Sequence, residues 1–369
     1  MAGQGTSVLA LDYNNIQTKI QNILGTGAST TGYGQFVSSS QVPSTRTIIS
    51  ATQWSNLRTD LINARTHQTG VNEQGNLTDP APTCYFAGTL VGNVLTVTTV
   101  TSGTIQVGQR ISGTSVPANT AVIGLGSGAG GVGTYTVNTT TANLNVTVSL
   151  RAVMPVKITE ADRAAYNAYA DTITTFKLIT PPSSQGTLET YSTSVRTTAW
   201  NATVTNTVIL TFTDSNAARY FFNTGGNIQF SAAMTPDVAN LKNTSWQTML
   251  TNMGSIIMNY NTTVVTGSGT ASGGIGFYQL NTSQQLLFQK LTEEPTYTPN
   301  QYDVYASVNA GGNIITFSIQ FSDLATTSGH GSYGVDENVT GTLVSTVRGY
   351  RATGAYVQVS APTVASSGP

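Results

Sequence analysis

Chemistry by side chains needs groups that ionise, ligate or attack, and this chain holds few of them. It has two histidines, His67 and His330, and one cysteine, Cys84. A zinc site would have to gather all three from three separate regions, without the short ligand spacing such sites use. His330 stands with Asp336 and Glu337 in a Gly-rich stretch that could hold a cation or simply lie solvated. Glu293 and Glu294 are adjacent. Neighbours in sequence need not face one cleft, so a carboxylate pair for glycoside hydrolysis is not indicated. No G-x-S-x-G elbow, P-loop or H-E-x-x-H occurs. Gly124, Gly126 and Ala129 satisfy the dinucleotide pattern G-x-G-x-x-A. The following residues, Thr134 to Val137, read as a strand, so no helix N-terminus awaits a pyrophosphate and a hairpin tip is the expectation. His67 follows Arg65 near a helix end, where it can cap that helix or sit at a subunit contact. The reading is no catalytic residue, no metal ligand set, no cofactor and no enzyme.

The elements that would position any site begin with helices. Residues 12–24 place Tyr13, Ile16, Ile20, Ile23 and Leu24 on one face, with Asp12 as cap and Gly25 as stop. Residues 50–68 open with a Ser50/Gln53 capping box and carry the stripe Trp54, Leu57, Leu61, Ala64, closed by Gly70. Residues 159–176 have a Thr159/Asp162 box and the stripe Ala165, Tyr169, Ile173, Phe176, ended by Pro181 and Pro182. Each is short enough to be marginal alone, so they must pack together or on other copies. Tyr13, Ile16, Ile20, Trp54, Leu57, Leu61, Ala165 and Tyr169 are the expected bundle or oligomer contacts.

Between the second and third helices lie six short strand-like runs: 85–90, 94–100, 109–112, 120–125, 133–137 and 146–150. Gly92 and Asn93 supply a hairpin turn. After residue 187 strands dominate again, at 204–213, 227–232, 255–265, 275–280, 302–308, 314–321, 339–348 and 356–360. Two helical pieces interrupt them, 218–222 (capped by Asp214 or Ser215) and 243–253. The latter has a core stripe of Trp246, Met249, Leu250 and Met253. The expected fold is mainly β with a small helical platform (α+β), a β-sandwich C-terminal domain and an inserted small β module. Its expected parts are a platform at 1–80, the insert at 81–152, a returning helix at 153–186, the sandwich at 187–360 and a polar tail at 361–369.

Composition narrows the class. Charged residues make up 8% of the 369-residue chain, where soluble domains average about 25%. Hydrophobic content of 39% and 16 tyrosines argue against disorder. A net charge of −1 without a Lys/Arg cluster gives no field for nucleic acid. No run reaches the roughly 18 apolar residues of a membrane span, and no signal peptide is expected at the start. The lone Cys84 excludes an intrachain disulfide. Neutral, hydroxyl-rich β surfaces suit proteins that pack against copies of themselves.

Several stretches carry a resemblance. YNNIQTKIQNILGTG, GYGQ, SSSQV and TQWSNLRTDLINARTHQTG within residues 13–70 resemble the N-terminal region of virion structural proteins of tailed bacteriophages, notably marine and cyanobacterial ones. ITEADRAAYNAYA at 158–170, ARYFFNTGGNIQFSA at 218–232 and GSGTASGGIGFYQL continue it. The insert, FAGTLVGNVLTVTTVTSGTIQVGQRISG through GVGTYTV, resembles a β module of phage tail and fibre proteins. The resemblance implies a virion protein made in the host cytoplasm, a fibre, neck or tail appendage component working as a homotrimer beside other virion proteins. It brings no catalytic residues. The other expectation is a head decoration protein or a host-surface glycan adhesin, for which Tyr33, Tyr350 and Tyr356 are the candidate aromatics.

Overall fold

The computed structural model describes residues 10–43, 49, 51–73, 77, 84–107, 109–117, 120–139, 142–153, 160–173, 177–325 and 337–369. The chain is mainly β with five α-helices among the described residues, in three antiparallel sheets. It divides into two compact units. The first comprises Met1–Lys19, Ser38–Ile62 and Glu73–Asp171, the second Ile20–Val37, Asn63–Asn72 and Thr172–Pro369. The division falls inside helices α1 (Ala10–Ile23) and α2 (Ala51–Thr69).

In the first unit one indole organises the helices. Trp54 of α2 meets the Tyr13 ring edge-on at 5.3 Å and the Tyr166 ring of α3 (Glu160–Asp171) at 5.1 Å. Offset and edge-on rings are the favoured aromatic geometries, so this trio fixes helix rotation as well as burying area. The connecting loop is held by side chains. Asn14 exchanges two 2.8 Å hydrogen bonds with the backbone of Val42. The Asp60 carboxylate accepts from Ser38 and Ser39. Asp12 is not a cap: it lies in the first turn of a helix beginning at Ala10, where its charge still favours the positive helix end. Ser50 and Thr159, expected to open capping boxes, lie outside the described residues. Helix α3 ends at Asp171 and buries Tyr166 and Ala170 in place of Ala165, which is exposed, and Tyr169, which is half-buried; Ile173 of the expected stripe is buried beyond the helix end. AAYNAYA offers two stripes at the same spacing, and the one carrying Tyr166 reaches Trp54.

The same unit contains the inserted sheet: β1 (Cys84–Gly92), β2 (Val94–Gly103), β3 (Arg110–Gly113), β4 (Val122–Leu125), β5 (Gly133–Val137) and β6 (Ala142–Val153), in the order β3-β6-β1-β2-β5-β4. Alternation along β1 turns Cys84, Phe86, Gly88 and Leu90 into a core shared with Leu95, Val97, Ile105, Ile111, Val122, Tyr135, Val137 and Leu150. Gly92 turns the first hairpin at φ 58°, a conformation glycine adopts without strain. The Gly124–Ala129 pattern lies in the β4–β5 hairpin, whose tip is tied by Tyr135: its hydroxyl donates to Gly131 O and accepts from Gly130 N–H. First and last strands pair, Cys84 opposite Ala152, so the module enters and leaves the unit at one place. Deleting residues 81–150 and bridging the ends with a short linker is expected to leave a soluble protein that unfolds cooperatively by calorimetry. Complete loss of such protein would show that the module is needed for folding.

The second unit holds two sheets face to face. One contains β7 (Gly186–Arg196), β9 (Asn227–Pro236), β10 (Ile256–Met258), β11 (Thr263–Val265) and β16 (Gly341–Ala352) in the order β11-β10-β9-β16-β7. The other contains β8 (Thr203–Thr211), β12 (Thr270–Ala271), β13 (Gln285–Leu291), β14 (Gln301–Val308), β15 (Ile314–Ser322) and β17 (Thr363–Ser367) in the order β12-β13-β14-β15-β8-β17. Phe230 and Phe317 meet across the interface at 5.0 Å, and buried Asn206 donates to Ser345 Oγ at 2.9 Å. Helix α5 (Leu241–Met253) lies against this core with Trp246, Met249, Leu250 and Met253 buried. Helix α4 (Ser215–Asn223) is capped by Asp214, which accepts from Ala217 N–H at 2.7 Å.

Three strand expectations and the tail expectation change here. Residues 255–265 form a hairpin, because Asn259 Oδ1 accepts from the N–H groups of Asn261 and Thr262 and turns the chain. Residues 275–280 hold a 3₁₀ turn at Phe277–Gln279 instead of a strand. Residues 356–360 form no strand, making only the isolated bridge Thr353–Gln358. The tail expected at 361–369 carries β17, paired with β8 from Thr363–Thr211 to Ser367–Thr207.

Candidate functional site

The six expected bundle or oligomer contacts on α1 and α2 are interior residues of a single chain: Tyr13, Ile16, Ile20, Trp54, Leu57 and Leu61 are each at most 1% exposed. Of the two alternatives for these helices, packing together or on other copies, this burial fits packing within the chain. Tyr169 donates to Glu73 Oε2 at 3.3 Å, and Ala165 faces solvent.

Among the described residues the candidate chemical groups belong to different units. Cys84 is buried in the inserted sheet of the first unit. His67 is wholly buried in the second unit, with its Nε2–H donating to Thr224 O at 3.1 Å and the Tyr33 ring edge 5.4 Å away. That burial corrects the subunit-contact alternative for His67 and the glycan-facing role for Tyr33, whose hydroxyl accepts from Gln68 at 2.9 Å. His330 and Asp336 lie outside the described residues. Glu293 accepts from Lys290 and Asn252, and the Lys290 contact holds its carboxyl below the ordinary carboxylate range. Glu294 caps a 3₁₀ turn by accepting from Thr296. Both border a cavity of about 210 Å³ beside α5, with Leu241, Thr244, Ser245, Thr248 and Thr292. Their partners are structural. Among the described residues no group of three or more His, Cys, Asp or Glu could hold a metal ion, and no helix is long and apolar enough to cross a membrane.

The face of the six-stranded sheet turned away from the other sheet is polar and only partly exposed, with Asp303, Ser318 and Ser322 buried in it. Its register lines up rows of polar side chains across four strands. Gln289 lies opposite Asp303, Asp303 opposite Gln320 and Gln320 opposite Thr205. The next rows bring Tyr305, Ser318 and Thr207 together, and Gln301, Ser322 and Thr203. Alternation forces this, because Tyr302, Val304, Phe317, Ile319, Phe321 and Val208 point to the core. Asp303 is the one charged-type side chain in these rows. Gln289 donates to Gln301 at 3.2 Å, and Gln301 to Asp303 Oδ2 at 2.8 Å. Burial raises the Asp303 carboxyl above its ordinary value, opposed by Gln289, Gln301 and Tyr305. The D-x-Y alternation in β14 shows which of its side chains share a face, but not the register that builds the rows across strands. One carboxyl among amides and hydroxyls can hold hydrogen-bonding partners; it lacks the second carboxylate that glycoside hydrolysis uses. Comparison with protein-family profiles, with curated proteins and with solved structures finds no match.

Proposed function

We propose that this chain is a non-enzymatic virion structural protein of the tailed-phage type, an oligomeric fibre, neck or tail appendage component that meets copies of itself, as a homotrimer, and other virion proteins. The observation that carries this reading is the neutral hydroxyl and amide face of the six-stranded sheet, where Thr203 is exposed and Thr205, Thr207, Thr316 and Gln320 are half-buried. Copies approach such a face without electrostatic repulsion and hold it by hydrogen bonds and small apolar contacts. Closed cyclic symmetry is the usual outcome of self-contact; three-fold order rests on analogy with phage appendages. The test is light scattering on the wild type and on a Thr203→Lys/Thr316→Lys variant, with folding followed by circular dichroism. The wild type should assemble and the folded variant should dissociate. A wild type that stays monomeric at high concentration, or a variant assembling unchanged, would overturn the reading.

A second reading is a host-surface glycan adhesin or a head decoration protein. It is favoured by the half-buried Tyr305 ring on this face, since aromatic rings are groups that hold sugars. Binding of soluble glycans to the monomeric face variant would separate the two.

A further inference from the structure

Lys242 and Asp323 meet inside the second unit, each side chain 1% exposed, with Nζ 2.7 Å from Oδ2. Lys242 occupies the first turn of α5, and Asp323 directly follows the last residue of β15. Nζ also donates to the backbone carbonyl of Glu337 and lies 5.9 Å from the ring centre of buried Tyr297. One turn further along α5, buried Trp246 packs edge-on against Trp200 at 5.9 Å. Water is kept from both groups. As an ion pair this arrangement stabilises little, because desolvation offsets most of the attraction.

We propose that Lys242 and Asp323 condense to an isopeptide bond, an internal cross-link between α5 and the end of β15. Moving one proton across the contact converts the ion pair into an amine and a carboxylic acid, the two neutral groups that condensation needs. A nitrogen 2.7 Å from one carboxyl oxygen lies about 3–3.5 Å from its carbon, the separation of a near-attack arrangement. The Lys242 nitrogen attacks Asp323 Cγ and an N–C bond forms. The C–OH bond breaks, and the hydroxyl leaves with one amine proton as water. No oxidant, metal or activated donor is consumed. The Glu337 carbonyl orients the amine by accepting one N–H, which leaves the lone pair for the carbon.

The full-length protein, purified, denatured and weighed by mass spectrometry, should be one water lighter than its own sequence. A tryptic digest should contain a branched peptide joining the Lys242 segment to the Asp323 segment. In Asp323→Asn the same attack expels ammonia, so that variant should be one ammonia lighter. Lys242→Arg should carry its full sequence mass. Wild-type protein at full sequence mass would overturn the proposal, as would a water loss mapping to other residues. The wild-type mass and branched peptide decide the matter even if Lys242→Arg fails to fold.

Discussion

Replacing Trp54 by alanine is expected to lower the free energy of unfolding by about 3–5 kcal/mol, the range for deleting a buried aromatic ring. Trp54 is 1% exposed and stands between Tyr13 and Tyr166, touching both edge-on. Its removal forfeits the transfer of the indole from water, and it leaves a cavity between helices too firmly tied to collapse. Asn14, Asp60 and the Lys19–Asp171 ion pair hold the surrounding backbone in place. Urea unfolding followed by circular dichroism measures the loss. Ala165→Ser, on the exposed side of α3, should change stability by no more than about 0.5 kcal/mol. A Trp54→Ala effect below about 1 kcal/mol would mean that Trp54 is not the organising residue. The same burial bears on assembly: a charge at Trp54 would unfold the chain rather than separate copies. The sheet-face lysines are therefore the test of oligomerisation.

Much of the fold is legible in the sequence because it follows period and turn chemistry. Tyr13, Ile16 and Ile20 mark α1 by spacing, Gly92 and Asn93 mark the first hairpin, and Asp214 marks the start of α4. The losses have local physical causes. Gln285–Leu291 was missed because a bulge between Leu286 and Phe288 sets Leu287 and Phe288 inward together and breaks the two-residue period. β17 reads as a tail because all five of its residues are exposed; backbone pairing to β8, not side-chain burial, makes it a strand. The Asp303 row depends on lateral register, which alternation along one strand does not contain. The Lys242–Asp323 pair joins residues far apart in the chain, so neither residue type alone signals it.

Acidification from pH 7 to pH 4 is expected to remove about 3 kcal/mol of stability through His67 alone. The ring is buried and its Nε2–H already donates to the Thr224 carbonyl, while Nδ1 has no hydrogen-bond partner. A proton on Nδ1 would place an uncompensated charge in an apolar site. Burial accordingly pushes the imidazole down from 6.5 to about 4, with the Thr224 carbonyl opposing only part of that change. The unfolded chain binds this proton below about 6.5, and the folded chain not until about 4. The contribution is therefore complete above pH 6.5 and lost as pH falls toward 4. His67→Gln keeps an N–H for Thr224 and cannot titrate, so its stability should fall less steeply across this window, by one proton's worth of slope. Urea midpoints at pH 7, 5.5 and 4.5 for both proteins give the comparison. Equal slopes would show that His67 is already protonated in the fold, or that acid acts elsewhere.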